Sequence, residues 1–204
     1  MDGFVDYGDV TNATTDQLAD HALVLMLVPL FEGWVQPIAS FATRGSAPGR
    51  ILAQLLLSAV LQLHKHNASV LVVVSDGAGN NRSMWTHLGI SGDMISPCNS
   101  IEHPWEPSQK IFFICDIPHT VKCIRNHLKK YTYGMIIKDF LEMLNVTENV
   151  AVEKGLKLFA SQLTTESLRV TLLSTLDIID FLLDQGAHYV LMAKLNQDPL
   201  EVIM

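Results

Sequence analysis

Two carboxylates stand where short apolar runs stop. Val70 to Ser75 is a run of apolar or small, mostly β-branched residues, too short for a helix and bounded by turn formers, so it reads as a strand buried on both faces. Asp76 ends it, and Gly77, Ala78, Gly79, Asn80 and Asn81 follow, residue types that tolerate unusual backbone angles. Lys110 to Cys115 is a second buried strand, closed by Asp116. The carboxyl edge of an open α/β sheet is where ligands and metals gather, and carboxylate oxygens suit hard divalent cations. The plain alternative is that Asp76 caps its own turn through the amides of Gly77 to Asn80. Asp116 and His119, three apart at a helix start, read either as metal ligands or as a capping pair, the second being simpler.

Other chemistry is weaker. Gly77-Ala78-Gly79 after a strand invites a dinucleotide-binding reading, but the third glycine and the distal acidic residue are missing. Cys98, Cys115 and Cys123 form an odd set without CxxC spacing, which supports neither a disulfide framework nor a zinc site and points to a reducing compartment. His64 and His66, at the end of a helix, read as surface residues favoured by its dipole. Trp34, Trp85 and Trp105 read as core or loop anchors rather than base-stacking platforms.

The elements that must position the carboxylates follow from pattern. Gly3 to Gly8 reads as the end of a short strand and Asp9 to Asp20 as a loop closing a hairpin. Ala22 to Pro29 and Val35 to Ala42 fit either one long bulged strand or a tight hairpin. Ser46 is placed to cap a helix from Gly49 to His66, with Pro48 in its first turn and Ile51, Leu52, Leu55, Leu56, Ala59 and Leu63 on one face. A helix carrying Met84, Trp85 and Leu88 follows Asp76. Gly89 to Gln109, with Pro97, Pro104 and Pro107, reads as a surface loop without regular structure. Beyond Asp116 comes a helix with Val121, Ile124 and Leu128 on one face and Lys122, Arg125, Lys129 and Lys130 elsewhere. After Tyr131 three amphipathic helices are expected, Tyr133 to Leu144, Val150 to Leu163 and Ser167 to Leu183, with caps from Thr165-Glu166-Ser167 and a stop at Gly186.

At 204 residues and 49% hydrophobic content the chain can bury a substantial core. A formal charge of −7 argues against the whole surface contacting nucleic acid, although a local basic patch is compatible with it. The N-terminus has neither a basic n-region nor an apolar h-region, which argues against secretion. Ala22 to Phe31 and Ile51 to Leu63 are too short for a membrane span, so no membrane partner is expected.

Four stretches, in order, carry a resemblance: GFVDYG at 3–8, SDGAGNNRSMW at 75–85, FFICDIPHTVKCIRNHL at 112–128 and LNQDPLE at 195–201. Together they resemble the P-element transposases, the THAP-domain transposase family with an RNase H-like core. The resemblance implies an α/β fold with an incomplete RNase H-like mixed sheet and flanking helices over 1–130, an all-helical segment over 131–194 resembling part of a GTP-binding insertion, and a returning RNase H-like segment at 195–204. It implies DDE-type chemistry, in which carboxylates hold two divalent ions for cleavage and joining at a phosphodiester. By the same resemblance Asp76 and Glu201 are catalytic metal ligands, Asp116 is a fallback carboxylate and Asp198 contacts guanine. The cofactors implied are Mg2+ and GTP, the partners are transposon-end DNA and a second copy of the chain, and the location is nuclear.

The departures from the family pattern set further expectations. The first catalytic aspartate belongs to a strand upstream of GFVDYG, so the chain is expected to be a fragment or degenerate copy that no longer cleaves DNA. Without that central strand, a sheet of order 3-2-1-4-5 has a gap unless the hairpin pairs directly with the Asp76 strand. A non-catalytic nucleotide- or protein-binding regulator is the alternative expectation.

Overall fold

The two apolar runs before residue 45 pair with each other. In the computed structural model, which describes residues 3–10, 17–116, 133–158 and 160–187, strand β1 (His21–Leu27) runs antiparallel to β2 (Gln36–Thr43). The register shifts between Leu25 and Met26, so the element is a hairpin that also carries a bulge. The segment before it lies alongside through bridges from Phe4 to Leu18 and from Asp6 to Ala42.

A separate three-stranded mixed sheet has the order β3-β5-β4. Strand β3 (Val72–Asp76) is parallel to β5 (Lys110–Asp116), and β4 (Ser100–Glu102) is antiparallel to β5. Among the described residues the hairpin shares no ladder with β3, so the two sheets are not joined by direct pairing of the hairpin with β3. Position in the sheet also corrects the burial expected of β3. As an edge strand its valines are only half-buried, whereas the central β5 is sealed from both sides. Ile111, Phe113 and Cys115 join one cluster while Phe112 and Ile114 join another, the alternation that a pleated strand imposes.

Helix α1 (Gly49–Lys65) packs Leu52, Ala53 and Val60 into the first cluster with Met84 and Trp85 of α2 (Gly79–His87). Its start differs from the expectation at Ser46: Pro48 is the N-cap and no side chain caps the helix. Tertiary contact sets that end instead, since a Cβ at Gly49 would stand 2.5 Å from the Ser83 side chain and 2.6 Å from the Met84 amide. Only glycine allows this approach of α1 to α2.

The stretch 89–109 is not a plain surface loop. Ser91 bridges Cys98, β4 lies between Pro97 and Pro104, and His103 is buried. The prolines flank the three-residue strand rather than interrupt it. The His103 Nδ1 accepts the amides of Trp105 and Glu106, and its ring lies 4.9 Å from that of His64. His64 is therefore half-buried against a neighbour, unlike the surface residue expected, while His66 is exposed.

Among the described residues two helices stand where three were expected: α3 (Tyr133–Lys154) and α4 (Gln162–Asp184). Asn145 and Thr147 fail to break α3 because their polar groups are satisfied within the fold. The Asn145 Oδ1 accepts from Arg169, and the Thr147 hydroxyl donates to the Met143 carbonyl one turn back. The break falls at Gly155, whose φ of 62° is left-handed. The cap of α4 is Ser161, which accepts the Thr164 amide, whereas Thr165 and Ser167 lie inside the helix and donate to the carbonyls of Ser161 and Leu163. Ser161→Ala is expected to lower stability by about 1 kcal/mol in urea unfolding. As expected, α4 ends before Gly186, at φ 87°.

Helix α4 is also a wall of the sheet. Val170 joins the Phe113 cluster, Ile178 and Leu182 pack on Phe112 and Ile114, and Leu168 and Leu172 meet Ile137 and Leu144 of α3. Among the described residues no helix is long and apolar enough to cross a membrane. The segment 117–132, with its expected basic helix, lies outside the described residues.

Candidate carboxylate site at the strand ends

Parallel pairing of β3 and β5 brings the two strand-end acids side by side, with Asp76 and Asp116 as register partners. Asp76 is exposed and Asp116 half-buried. The Asp76 Oδ1 accepts the Ala78 amide at 2.8 Å and the Asn81 Nδ2 at 2.7 Å, so the turn-capping role is present. It occupies only one oxygen. The bonds to Oδ1 fix the carboxylate while Oδ2 has no hydrogen bond among the described residues, an arrangement that fits a hard cation. His119, Asp198 and Glu201 lie outside the described residues, and among the described ones no cluster of three or more His, Cys, Asp or Glu is arranged to hold a metal.

Cys115 sits directly behind this edge. Burial pushes its thiol up to about 11, opposed by the nearby Arg82 guanidinium and reinforced by Asp76 and Asp116. A thiol so raised is inert near neutrality. Iodoacetamide at pH 8 is expected to label Cys98 and leave Cys115 unmodified until the chain unfolds, as read by peptide mass mapping. The sign of the pH effect follows from linkage. Between the ordinary value of 9.0 and about 11 the unfolded chain has lost a proton that the folded chain keeps, so the contribution of Cys115 to stability is full below pH 9 and is lost as pH rises to about 11.

Residue pattern did not single out the side chains that lock β5 in place. Beyond Phe113 the edge of β5 that faces β4 is satisfied by α4: the Thr171 hydroxyl accepts the Cys115 amide at 2.9 Å, and the Ser174 hydroxyl donates to the Phe113 carbonyl at 2.5 Å. Hydroxyls on one helix face thus stand in for a missing strand partner next to Asp116. Their only signal in the sequence was a row of Ser and Thr along an amphipathic helix.

Residues 1–89 match the family model of the TNP-like RNase H N-terminal domain. Over 110 residues, 53% of the chain, the sequence is 31% identical to the Transposable element P transposase of Drosophila melanogaster. The chain is similar to P-element transposases over these stretches. That match takes in 13% of the relative's length, so the chain spans a small part of it. The whole chain superimposes on 68% of a chain in the Drosophila P element transposase strand transfer complex, with a TM-score of 0.65 at 17% identity. This likeness is one of fold, and it agrees with a small mixed α/β sheet flanked by helices.

Proposed function

We propose that the Asp76 and Asp116 strand ends are the metal-binding edge inherited from a transposase-type site for DNA phosphodiester chemistry, with Glu201 as a further ligand, and that this chain no longer cleaves DNA. The observation that carries this reading is the register pairing of two acids at the carboxyl ends of parallel strands, one of them already oriented by Ala78 and Asn81. A divalent ion held there supplies charge neutralisation and activation of an attacking oxygen. The chain's own contribution is to hold Asp76 through Oδ1, to present Oδ2, and to keep the neighbouring strand in place through Thr171 and Ser174.

Mn2+ titration followed by amide NMR tests this. Selective broadening at residues 76–78 and 116 is expected, lost in Asp76→Asn, and broadening spread evenly over the surface overturns the reading. Nicking of supercoiled DNA, compared with the same variant, then separates a working nuclease from a binding regulator. The relative and the complex it is similar to are named for a transposase and for strand transfer, which supports DNA as the partner. Resemblance extends the proposal to GTP in the helical half with Asp198 as guanine contact, to nuclear location and to self-association. Calorimetry with GTP tests the first of these, and no heat at millimolar ligand removes it.

A further inference from the structure

The loop that meets α4 at Gly92 carries a folded turn that the carboxylate site does not use. Ser91 and Cys98 exchange backbone hydrogen bonds at 2.8 and 2.7 Å, and the turn lies between them. Inside it the Asp93 Oδ1 accepts the amides of Ile95 at 2.8 Å and Ser96 at 3.0 Å. The Ser96 amide first, then that of Ile95, hold the Asp93 carboxyl below the usual carboxylate range. Some desolvation opposes them, and the Arg169 guanidinium and the Ser96 hydroxyl add smaller help. One negative charge thus organises the turn. The turn stands out from the fold, with Asp93, Ser96 and Pro97 exposed and Ile95 90% exposed.

Two features of Ser96 point to a modifying enzyme. It is exposed on a loop tip, so an extended active-site cleft can take the segment without unfolding a helix or strand. Pro97 follows it, and of the eight prolines in the chain Pro97 alone follows a serine or threonine. Proline has no backbone N–H. A cleft that offers no acceptor at that point takes Ser-Pro and rejects other residues, whose N–H it would leave unpaired.

We propose that Ser96 is a phosphorylation site for a proline-directed protein kinase and that the phosphate opens the 93–97 turn. The Ser96 Oγ attacks the γ-phosphorus of ATP, forming an Oγ–P bond as the bond from that phosphorus to the β,γ-bridging oxygen breaks. ADP leaves with that electron pair, and the hydroxyl proton passes to the kinase's catalytic carboxylate. A hydroxyl that donates to Asp93 is replaced by a group carrying about −1.5 to −2 charge at pH 7, facing the carboxylate that holds the turn closed. Arg169, the guanidinium that acts on Asp93, does not offset this charge. It is 2% exposed and engaged with Asn145, Gly92 and Glu148, so it cannot swing out to a phosphate. Opening stops at Gly92, whose carbonyl Arg169 holds and whose backbone lies against that of Glu166. Neither a metal nor DNA enters the argument, so it stands apart from the reading of Asp76 and Asp116.

The test is incubation of the full chain with ATP and, in turn, a mitogen-activated and a cyclin-dependent protein kinase, both proline-directed, followed by peptide mass mapping. Phosphate is expected on Ser96, at a rate that Pro97→Ala lowers roughly tenfold or more while leaving the hydroxyl in place. Hydrogen exchange then reads the turn. The Ile95 amide is expected to exchange about tenfold faster in the phosphorylated chain, to return on phosphatase treatment, and to change much less in Asp93→Asn, which removes the opposing charge. No phosphate on Ser96 with either kinase, equal rates in Pro97→Ala, unchanged Ile95 exchange, or equal acceleration in Asp93→Asn overturns the proposal.

Discussion

Arg169→Ala is expected to lower the free energy of unfolding by about 3–5 kcal/mol, measured by urea denaturation of the full chain. Arg169 is 2% exposed, and both α3 and the loop that carries Gly92 converge on it. Its Nε donates to the Asn145 Oδ1 at 3.0 Å, its Nη1 to the Gly92 carbonyl at 2.5 Å, and its Nη2 pairs with the Glu148 carboxylate. Truncation removes the only cation facing Glu148 among the described residues and strands a buried carbonyl at Gly92. The penalty is mainly that of leaving a half-sealed charge unpaired, not the net worth of the ion pair. Arg169→Met combined with Glu148→Leu should therefore recover most of the loss. A loss under 1 kcal/mol in the single variant would mean that α3 and the 89–99 loop do not depend on this guanidinium.

Gly92→Ala is the second large effect, an expected loss of roughly 3 kcal/mol. A Cβ there would stand 2.1 Å from the carbonyl oxygen of Glu166 and 2.5 Å from its carbonyl carbon. Both sides of the clash are backbone, so no rotamer change relieves it and the loop must lift from α4. Lifting also pulls the Gly92 carbonyl from Arg169, so a double-mutant cycle between the two positions is expected to be strongly non-additive. Gly33→Ala is the control: nothing lies within 4 Å of a Cβ at Gly33, and a change within about 0.5 kcal/mol is expected. Equal unfolding midpoints for the two alanine variants would contradict the packing of the loop on α4.

How far the fold was legible depended on the range of the interactions that make each element. Strand β5, α1 and α2 were readable because their apolar spacing is local and strong, and the stop at Gly186 because a left-handed residue ends a helix wherever it occurs. The cap of α1 was misplaced at Ser46 because the contact of Gly49 with Ser83 and Met84, more than thirty residues away, decides where the helix begins. The expected break near Asn145 and Thr147 failed for the same reason. Asn145 is a poor helix former by itself, but its amide is engaged by Arg169 from α4.

For the candidate site, sequence alone determined that Asp76 and Asp116 each close a short strand, since a short apolar run and turn chemistry are properties of neighbours in the chain. Only the tertiary structure decided that the two strands are parallel and in register, that Asp76 spends one oxygen on its own turn and keeps the other, and that hydroxyls from α4 complete the edge beside Asp116. It alone separated the hairpin from β3. Pairing, burial of charge and close backbone approach join residues distant along the chain. Their energies depend on which surfaces meet, and local pattern does not record that.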